Sequence, residues 1–411
     1  MRVLVAGAGI SGCAAALAAS EAGHEVTLLE VGRTAGGVLR DEEINTGSWY
    51  RNCQYFNVGT EWFDLFLRCS GARFTMFPHR YGSWNDLFMT RVAQQDFAQV
   101  VVPGAEARPI TDETALSSVA DRLSRYPHSV SKEVRRWADS WGDLETLHHE
   151  NSDLMQVGRV FHCDDVDGTI SCKRLSEIGE LLYGVPRDIH RPALPVREAA
   201  LPIDGWNRAF EAVTRALVAR RVRVEFGARA SVRLERGRVQ VDFLQETCSP
   251  DLVVWCANPH PLMTALGLGR LDSPVTKMSS LLCEVDGSLP PQPMYWQVFS
   301  RSMPIVRLFF HEHRQVPRLT VEAFDSRLEM PEVAKLASEV LKDFGFDMRL
   351  KPVAVVPDRR YVLTTIRDRD LLSSMDDLAT RVPVVTGGWS FFGRDQRIGH
   401  IFRAMRDWNA L

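Results

Sequence analysis

The sequence predicts an α/β protein in which a Rossmann-type domain, discontinuous along the chain, carries an inserted α+β domain. Three observations lead there. An apolar strand at residues 2–6 runs into Gly7-Ala-Gly9-Ile-Ser-Gly12, followed by an alanine-rich helical stretch over 14–22. A second strand, Glu25–Glu30, ends in a carboxylate 18 residues after Gly12, close to the ~20 typical of dinucleotide-binding folds. Two later runs, 250–257 and 382–388, are short and continuously apolar, the pattern of strands buried on both faces of a parallel sheet.

Taken in order, each element has a physical reason. Gly7 permits the tight turn, Gly9 lets the backbone approach a pyrophosphate, and Gly12 lets helix and strand pack closely. The helix N-terminus then points bare N–H groups at the phosphates. Glu30 suits ribose hydroxyls and opposes a 2′-phosphate, which argues against NADP in this site. Further along, 201–206 leads into a helical pattern at 209–219, and 222–226, 231–235 and 238–243 alternate like strands with tight connections. Residues 398–408 read as a closing helix. The first domain therefore gathers 1–57, 201–259 and 382–411. Two insertions, a helical one over 58–200 and a mixed one over 260–381, are expected to form the substrate half. Helical spacing marks 63–67, 134–138 and 170–183, while 294–299, 305–310 and 319–323 read as strands. The charged stretch 103–121, with its Pro and Ala, is expected to be the most mobile loop.

Composition frames this without choosing a chemistry. Two domains fit 411 residues. A balance of 49 basic against 52 acidic residues predicts neither a nucleic-acid partner nor an anionic membrane surface. The apolar stretch 10–22 is too short to span a bilayer. Because the first strand begins at residue 2, there is no room ahead of it for a secretion signal, and a cytoplasmic location is expected. Eight cysteines without a C-x-x-C pair or recurring spacing indicate neither a zinc site nor a disulfide framework, so no metal is expected. No G-x-S-x-G elbow offers a hydrolase nucleophile.

Past the acid, Glu30-Val-Gly-Arg-Thr-Ala-Gly36-Gly37 places a glycine pair six residues on. That extension resembles the two-domain flavoproteins of the amine oxidase and UDP-galactopyranose mutase type. In those families the glycine pair passes close to the FAD pyrophosphate, so the resemblance implies FAD. Other segments resemble the mutase family more specifically. Asn52-Cys-Gln-Tyr-Phe-Asn57 stands where that family has Gly-Pro-His-x-Phe-His beside the flavin. Arg191-Pro-Ala-Leu-Pro-Val-Arg197 precedes Leu201-Pro-Ile-Asp-Gly-Trp206 as the family's Arg-x-Pro-Val-Arg precedes Pro-x-x-Gly-Tyr. Pro304-Ile-Val-Arg307 is similar to its Pro-Tyr-Thr-Arg strand, and Gly387-Gly-Trp-Ser-Phe-Phe-Gly-Arg394 stands where a Gly-Arg-Leu-Gly turn closes over the flavin.

The glycine fingerprint, the acid and this resemblance together give the cofactor-lining set Gly7, Gly9, Ser11, Gly12, Glu30, Val31, Arg33, Gly36, Gly37 and Val38. Tyr55, Phe56, Gly388, Trp389, Arg394 and Arg397 complete it. Arg197 and Arg307 are the cations the resemblance sets against a substrate diphosphate, a task suited to guanidinium forks. Gln54 is the candidate to hydrogen-bond the flavin edge. The chain also departs from the family: Gln54 and Asn57 replace its two histidines, so a protonated imidazole is lost there, and Trp389 replaces an arginine. Three readings follow: a redox-neutral mutase on a nucleotide sugar, an amine oxidase or desaturase-like oxidoreductase, and a flavin-binding protein with a decayed site. The flavin enzyme is expected to act on a small molecule, with an NAD(P)H-linked reductant as a partner to test.

Overall fold

The computed structural model describes residues 1–44, 47–52, 54–79, 81–88, 92–95, 101–102, 115–157, 162–163, 171, 179, 182, 198–235, 237–290, 293–313, 315–324 and 329–411. A five-stranded parallel sheet runs in the order Arg223–Phe226, Glu25–Glu30, Arg2–Ala6, Leu252–Trp255 and Val384–Thr386. The last two strands are buried along their whole length, which is why they read as unbroken apolar runs. Helix Ile10–Glu21 is apolar nearly all round because it is enclosed. Its alanines pack against the sheet, and helices Glu61–Ser70, Trp206–Ala219 and Arg394–Asp407 share the same core. On the other side of the sheet, the antiparallel meander Ser231–Glu235, Arg238–Phe243, Glu246–Cys248 packs with helices Pro259–Ala265 and Ile366–Ala379.

The closing helix begins four residues earlier than the sequence predicts, so Arg394 occupies its first turn. The expectation of a helical 58–200 insertion needs correcting. Alongside its helices it supplies the strands Phe74–Pro78, Tyr81–Asn85 and Val92–Gln95. Tyr81–Asn85 pairs parallel to Met294–Phe299, so both insertions build one sheet. Its strands are short and polar at Ser83 and Asn85, which tertiary burial alone explains. Strand Glu198–Pro202 crosses the expected boundary at 201 and lies between Phe56–Asn57 and Phe74–Pro78. Within the predicted helix 170–183, the described residues 171, 179 and 182 are helical. Within the predicted mobile loop, 103–114 lie outside the described residues. Residues 119–121 are not loop: they open helix Val119–Ser124, whose Asp121 N–H is accepted by the Ser118 hydroxyl.

The larger sheet has seven strands in the order Met348–Val362, Val275–Gly287, Val316–Phe324, Ile305–His313, Met294–Phe299, Tyr81–Asn85 and Val92–Gln95. One face carries Trp84, Trp296, Leu308, Phe310 and Val321 and packs on helix Met330–Asp343. The opposite face carries Tyr295 and Phe309, which pack into the parallel-sheet core with Tyr50 and Phe56. The substrate half thus presents one side of its sheet to the dinucleotide half.

Candidate functional site

A cleft of about 840 Å³ opens at the carboxyl ends of the parallel strands, where ligands of open α/β sheets bind. Its first wall is the glycine loop. A Cβ on Gly12 would lie 1.8 Å from the Gly7 carbonyl oxygen, so only glycine lets helix and strand close up here. The second glycine pair runs alongside: Gly36 N–H donates to the Ala8 carbonyl at 2.8 Å. Gly37 (φ 61°) sits where a Cβ would be 3.1 Å from Gly9 Cα. Two backbones therefore meet at van der Waals distance around a space left for phosphates.

At the acid end, both Glu30 oxygens are anchored. One accepts the Ala8 N–H and the other the Gly32 N–H, each at 2.7 Å. An ionised carboxylate has about four acceptor positions, so this anchoring leaves lone pairs for ribose hydroxyls. Val31 and Val38 line the same end and are 66% and 77% exposed. Apolar side chains this exposed beside a fixed carboxylate offer cover for an adenosine.

At the far end, Trp389, Arg394 and Arg397 form the wall. Arg394 Nη1 donates to the Tyr55 carbonyl at 2.8 Å, with its guanidinium 5.0 Å above the Phe56 ring. Arg397 Nε donates to the Phe391 carbonyl at 2.7 Å. Carbonyls orient these cations. Burial pulls both guanidinium groups below their usual pKa; Asp395 opposes this at Arg394, and at Arg397 the Arg369 charge adds to it while Glu150 opposes it. Asp395 is itself drawn aside, accepting Asn57 Nδ2 at 2.6 Å and Trp62 Nε1 at 3.0 Å. Two oriented cations at a helix N-terminus make this end a place for negative charge. Burial pushes the thiol of Cys256, on the cleft wall, up to about 12, which disfavours the thiolate.

Of the residues expected to line a cofactor, Gly7, Gly9, Ser11, Gly12, Glu30, Val31, Gly36, Gly37, Val38, Trp389, Arg394 and Arg397 meet in one cleft. Other expected residues stand elsewhere. Arg33 lines a neighbouring cavity of about 490 Å³ with Arg40 and Phe210. Phe56 is no cofactor-facing residue: it is fully buried among Trp62, Phe63, Phe66, Phe74 and Trp206. Large aromatics in such a cluster are core, and Trp206 follows the same logic. Tyr55 reaches the cleft only through its carbonyl, while its hydroxyl contacts His79. Gln54 is half-buried, its side-chain oxygen enclosed without a hydrogen bond. Gly388 takes a left-handed φ of 66° behind Trp389. Arg197, like Arg191, lies outside the described residues. Sequence reasoning missed Arg229, Asn258 and His260, which line the cleft just beyond two correctly predicted strands.

Arg307 belongs to the sheet that faces the dinucleotide half. Ser83, Gln297, Arg307, Glu322 and Ser280 stand in register as one row across five strands. All are between 0% and 8% exposed. Arg307 Nε donates to Gln297 Oε1 at 3.3 Å, Nη2 to the Leu154 carbonyl at 2.9 Å, and Nη1 lies 3.7 Å from Glu322 Oε2. All three nitrogens are engaged and the charge is matched by a fully buried carboxylate. Tyr295 also donates its hydroxyl to Gln297, whose amide nitrogen is enclosed without a hydrogen bond. Polar groups are costly to bury, so a whole polar row under the cofactor half marks a site under constraint other than packing.

Comparison with known proteins places the glycine loop and the fold. The NAD(P)-binding Rossmann-like domain family matches residues 5–77. L-amino acid oxidase Lm29 of Lachesis muta is 46% identical over 50 residues, which is 12% of this chain and 10% of that protein. An L-amino-acid oxidase of Gloydius halys is 48% identical over 50 residues, again 12% of this chain and 10% of that protein. The aligned stretch thus spans about a tenth of these curated relatives. Among solved structures, reduced UDP-galactopyranose mutase superposes with a TM-score of 0.68 at 13% identity, covering 100% of this chain and 96% of that one. Putrescine oxidase bound to putrescine gives 0.53 at 12% identity, covering 100% and 98%. A fatty acid isomerase from P. acnes gives 0.54 at 13% identity, covering 99% and 98%. The chain therefore shares, from end to end, a fold that mutases, oxidases and isomerases use: a Rossmann-like domain joined to a second sheet.

Proposed function

We propose that the protein is an FAD-dependent enzyme acting on a small molecule held between the ring end of the cleft and the facing sheet. The observation that carries this is the cleft itself, with an anchored carboxylate at one end and two carbonyl-oriented guanidinium groups at the other. A dinucleotide whose ribose meets Glu30 and whose pyrophosphate passes the glycine loops places its ring system toward Trp389, Arg394 and Arg397. FAD supplies electron-transfer or nucleophilic chemistry there when bound. The protein's residues orient it, exclude water and offer positive charge near the ring.

A mutase-like reaction on a nucleotide sugar is the first reading, supported by the likeness to the reduced mutase over the full chain and by the sequence landmarks. The second is an oxidoreductase taking hydride from a C–H bond. It draws support from Arg307, whose pairing with Glu322 removes one of the two cations expected to hold a diphosphate. The first reading calls for a reductant, NAD(P)H-linked in our proposal, to keep the flavin reduced; the second calls for oxygen or another acceptor to take the electrons that the substrate leaves on the flavin.

The test begins with purified protein whose bound flavin is identified by mass and absorbance. Dithionite-reduced enzyme is incubated anaerobically with UDP- and GDP-sugars, and oxidised enzyme with amines and amino acids. Isomerised sugar nucleotide formed only with reduced flavin supports the mutase reading. Bleaching of oxidised flavin by an amine or amino acid, with no sugar turnover, supports the oxidoreductase. A purified protein that takes up no flavin overturns both.

A further inference from the structure

The turn that carries Trp389 into the cleft is tied at both ends to one carboxylate outside it. Thr386, the last residue of strand Val384–Thr386, donates its hydroxyl to Asp376 Oδ1, and Ser390 donates to Asp376 Oδ2. Between the two ties lie Gly387, Gly388 and Trp389. Thr386 is 1% exposed and Ser390 6%. His400, from the closing helix, brings Nε2 to 3.2 Å from Thr386 Oγ1. The threonine's single proton is committed to Asp376, so the imidazole is the donor and carries its proton on Nε2. Gly388 N–H points at the same hydroxyl from 3.4 Å. His400 also packs its ring 5.0 Å from Phe391. Gly388 has no room to move inward, since a Cβ there would lie 3.1 Å from Arg397 Cα. On its outer side the cluster opens to a cavity of about 300 Å³ lined by Asp376, Thr386, His400 and Asp407. One face thus meets the cofactor cleft and the other meets solvent.

We propose that Asp376 and His400, joined through Thr386 and Ser390, form a latch that positions the Gly387–Ser390 turn, and with it the cofactor wall made by Trp389 and Arg397. The proposal rests on the cleft being the FAD site. The charged groups facing His400 are Asp376 from helix Ile366–Ala379 and Arg403 from its own helix, with Asp407 lining the shared cavity. The strand and the turn contribute only hydroxyls, a backbone N–H and the Phe391 ring. Burial holds the imidazole below its usual pKa; Asp376 opposes this and Arg403 adds to it. The latched state therefore holds the imidazole in its neutral form, donating from Nε2 to Thr386.

The experiment is FAD titration of apoprotein at pH 7, followed by flavin fluorescence and the visible circular dichroism of the bound flavin. Asp376→Ala removes both ties and weakens FAD binding at pH 7 by about tenfold or more. Asp376→Asn keeps one acceptor and donates to the other hydroxyl, which rotates to accept, so it restores most of the affinity. Ser390→Ala, which cuts one tie, shows an intermediate loss and guards against a variant that fails to fold. His400→Phe, which removes the donor to Thr386 but leaves both Asp376 ties, shows a smaller loss than Asp376→Ala. FAD binding unchanged in Asp376→Ala and Ser390→Ala, or no recovery in Asp376→Asn, overturns the latch alone. A wild type that binds no flavin overturns the cofactor reading and the latch with it.

Discussion

Glu30→Gln tests the acid end of the cleft before any ligand is added. The carboxylate accepts two backbone N–H groups at 2.7 Å, from Ala8 in the glycine loop and from Gly32 in the next turn. The Ala8 amide is buried and has no water as a ready substitute, while the Gly32 bond is part-buried. Glutamine keeps the shape and one acceptor, but turns an NH2 group toward the other N–H. A buried donor left without an acceptor costs about 1–3 kcal/mol, and the surviving bond loses its charge assistance as well. The expected loss is about 2–3 kcal/mol, or roughly 30- to 150-fold in the folding equilibrium. Urea unfolding of the apoprotein reads this as a lower midpoint with an unchanged slope. FAD titration of the same variant then shows weaker binding, because the group presented to ribose hydroxyls has changed from a carboxylate to an amide. An apoprotein midpoint equal to wild type refutes the reasoning, since the anchoring bonds would then carry no energy.

Gly37→Ala places a methyl group 3.1 Å from Gly9 Cα at a φ of 61°. It should weaken FAD binding while leaving far-ultraviolet circular dichroism unchanged; unaltered affinity would mean that the two glycine segments need not approach. Asp41 is buried, its carboxyl raised by burial to about 6 despite the Asn207 and Trp206 backbone N–H groups. Unfolded, it ionises near the ordinary carboxyl value of 3.8, so the folded state holds this proton more tightly. Stability from this group is present below that value and lost as pH rises toward 6, by about 3 kcal/mol in all. Asp41→Asn should therefore show a smaller fall in melting temperature than wild type between pH 4 and pH 7, and equal falls would refute the assignment. Glu322→Gln leaves the Arg307 cation buried without its carboxylate and should destabilise by about 3–5 kcal/mol. Arg307→Met with Glu322→Leu should cost less than the two single changes added together, and additivity in that cycle would show that the pair does not interact.

The dinucleotide half was legible because its signals are local. A strand, a glycine loop, a helix and an acid at fixed spacing determine Gly7, Gly9, Gly12, Glu30, Gly36 and Gly37 without reference to anything distant. The buried strands Leu252–Trp255 and Val384–Thr386 announced themselves by unbroken apolarity, and Arg394 and Arg397 by following the last glycines. The facing sheet was harder to read. Its longest strands, Val275–Gly287 and Met348–Val362, shift register at Met278/Ser280 and Leu282/Cys283, which breaks the alternation that reveals a strand. The polar row is beyond any one-dimensional pattern, because residues 83, 280, 297, 307 and 322 become neighbours only through strand register. Phe56 shows the opposite failure: a family landmark marked it for the cofactor, yet five aromatic neighbours drew it into the core.

Charge placement separates what the two halves can hold. Across the sheet, Arg307 and Glu322 cancel, and their neighbours Ser83, Gln297 and Ser280 offer hydrogen bonds without net charge. At the ring end, Arg394 and Arg397 are steered by carbonyls, and Asp395 is occupied by Asn57 and Trp62. Glu150, the acid that faces Arg397, is shared with Arg369 at 3.0 Å, so both cations have room for a further anion, which a ligand can supply. The ring end therefore demands negative charge, whereas the facing sheet answers polarity with polarity. A substrate that places its anionic part toward Arg394 and Arg397 satisfies both surfaces. One whose diphosphate must reach Arg307 has to displace Glu322 from a site where that carboxylate is 0% exposed.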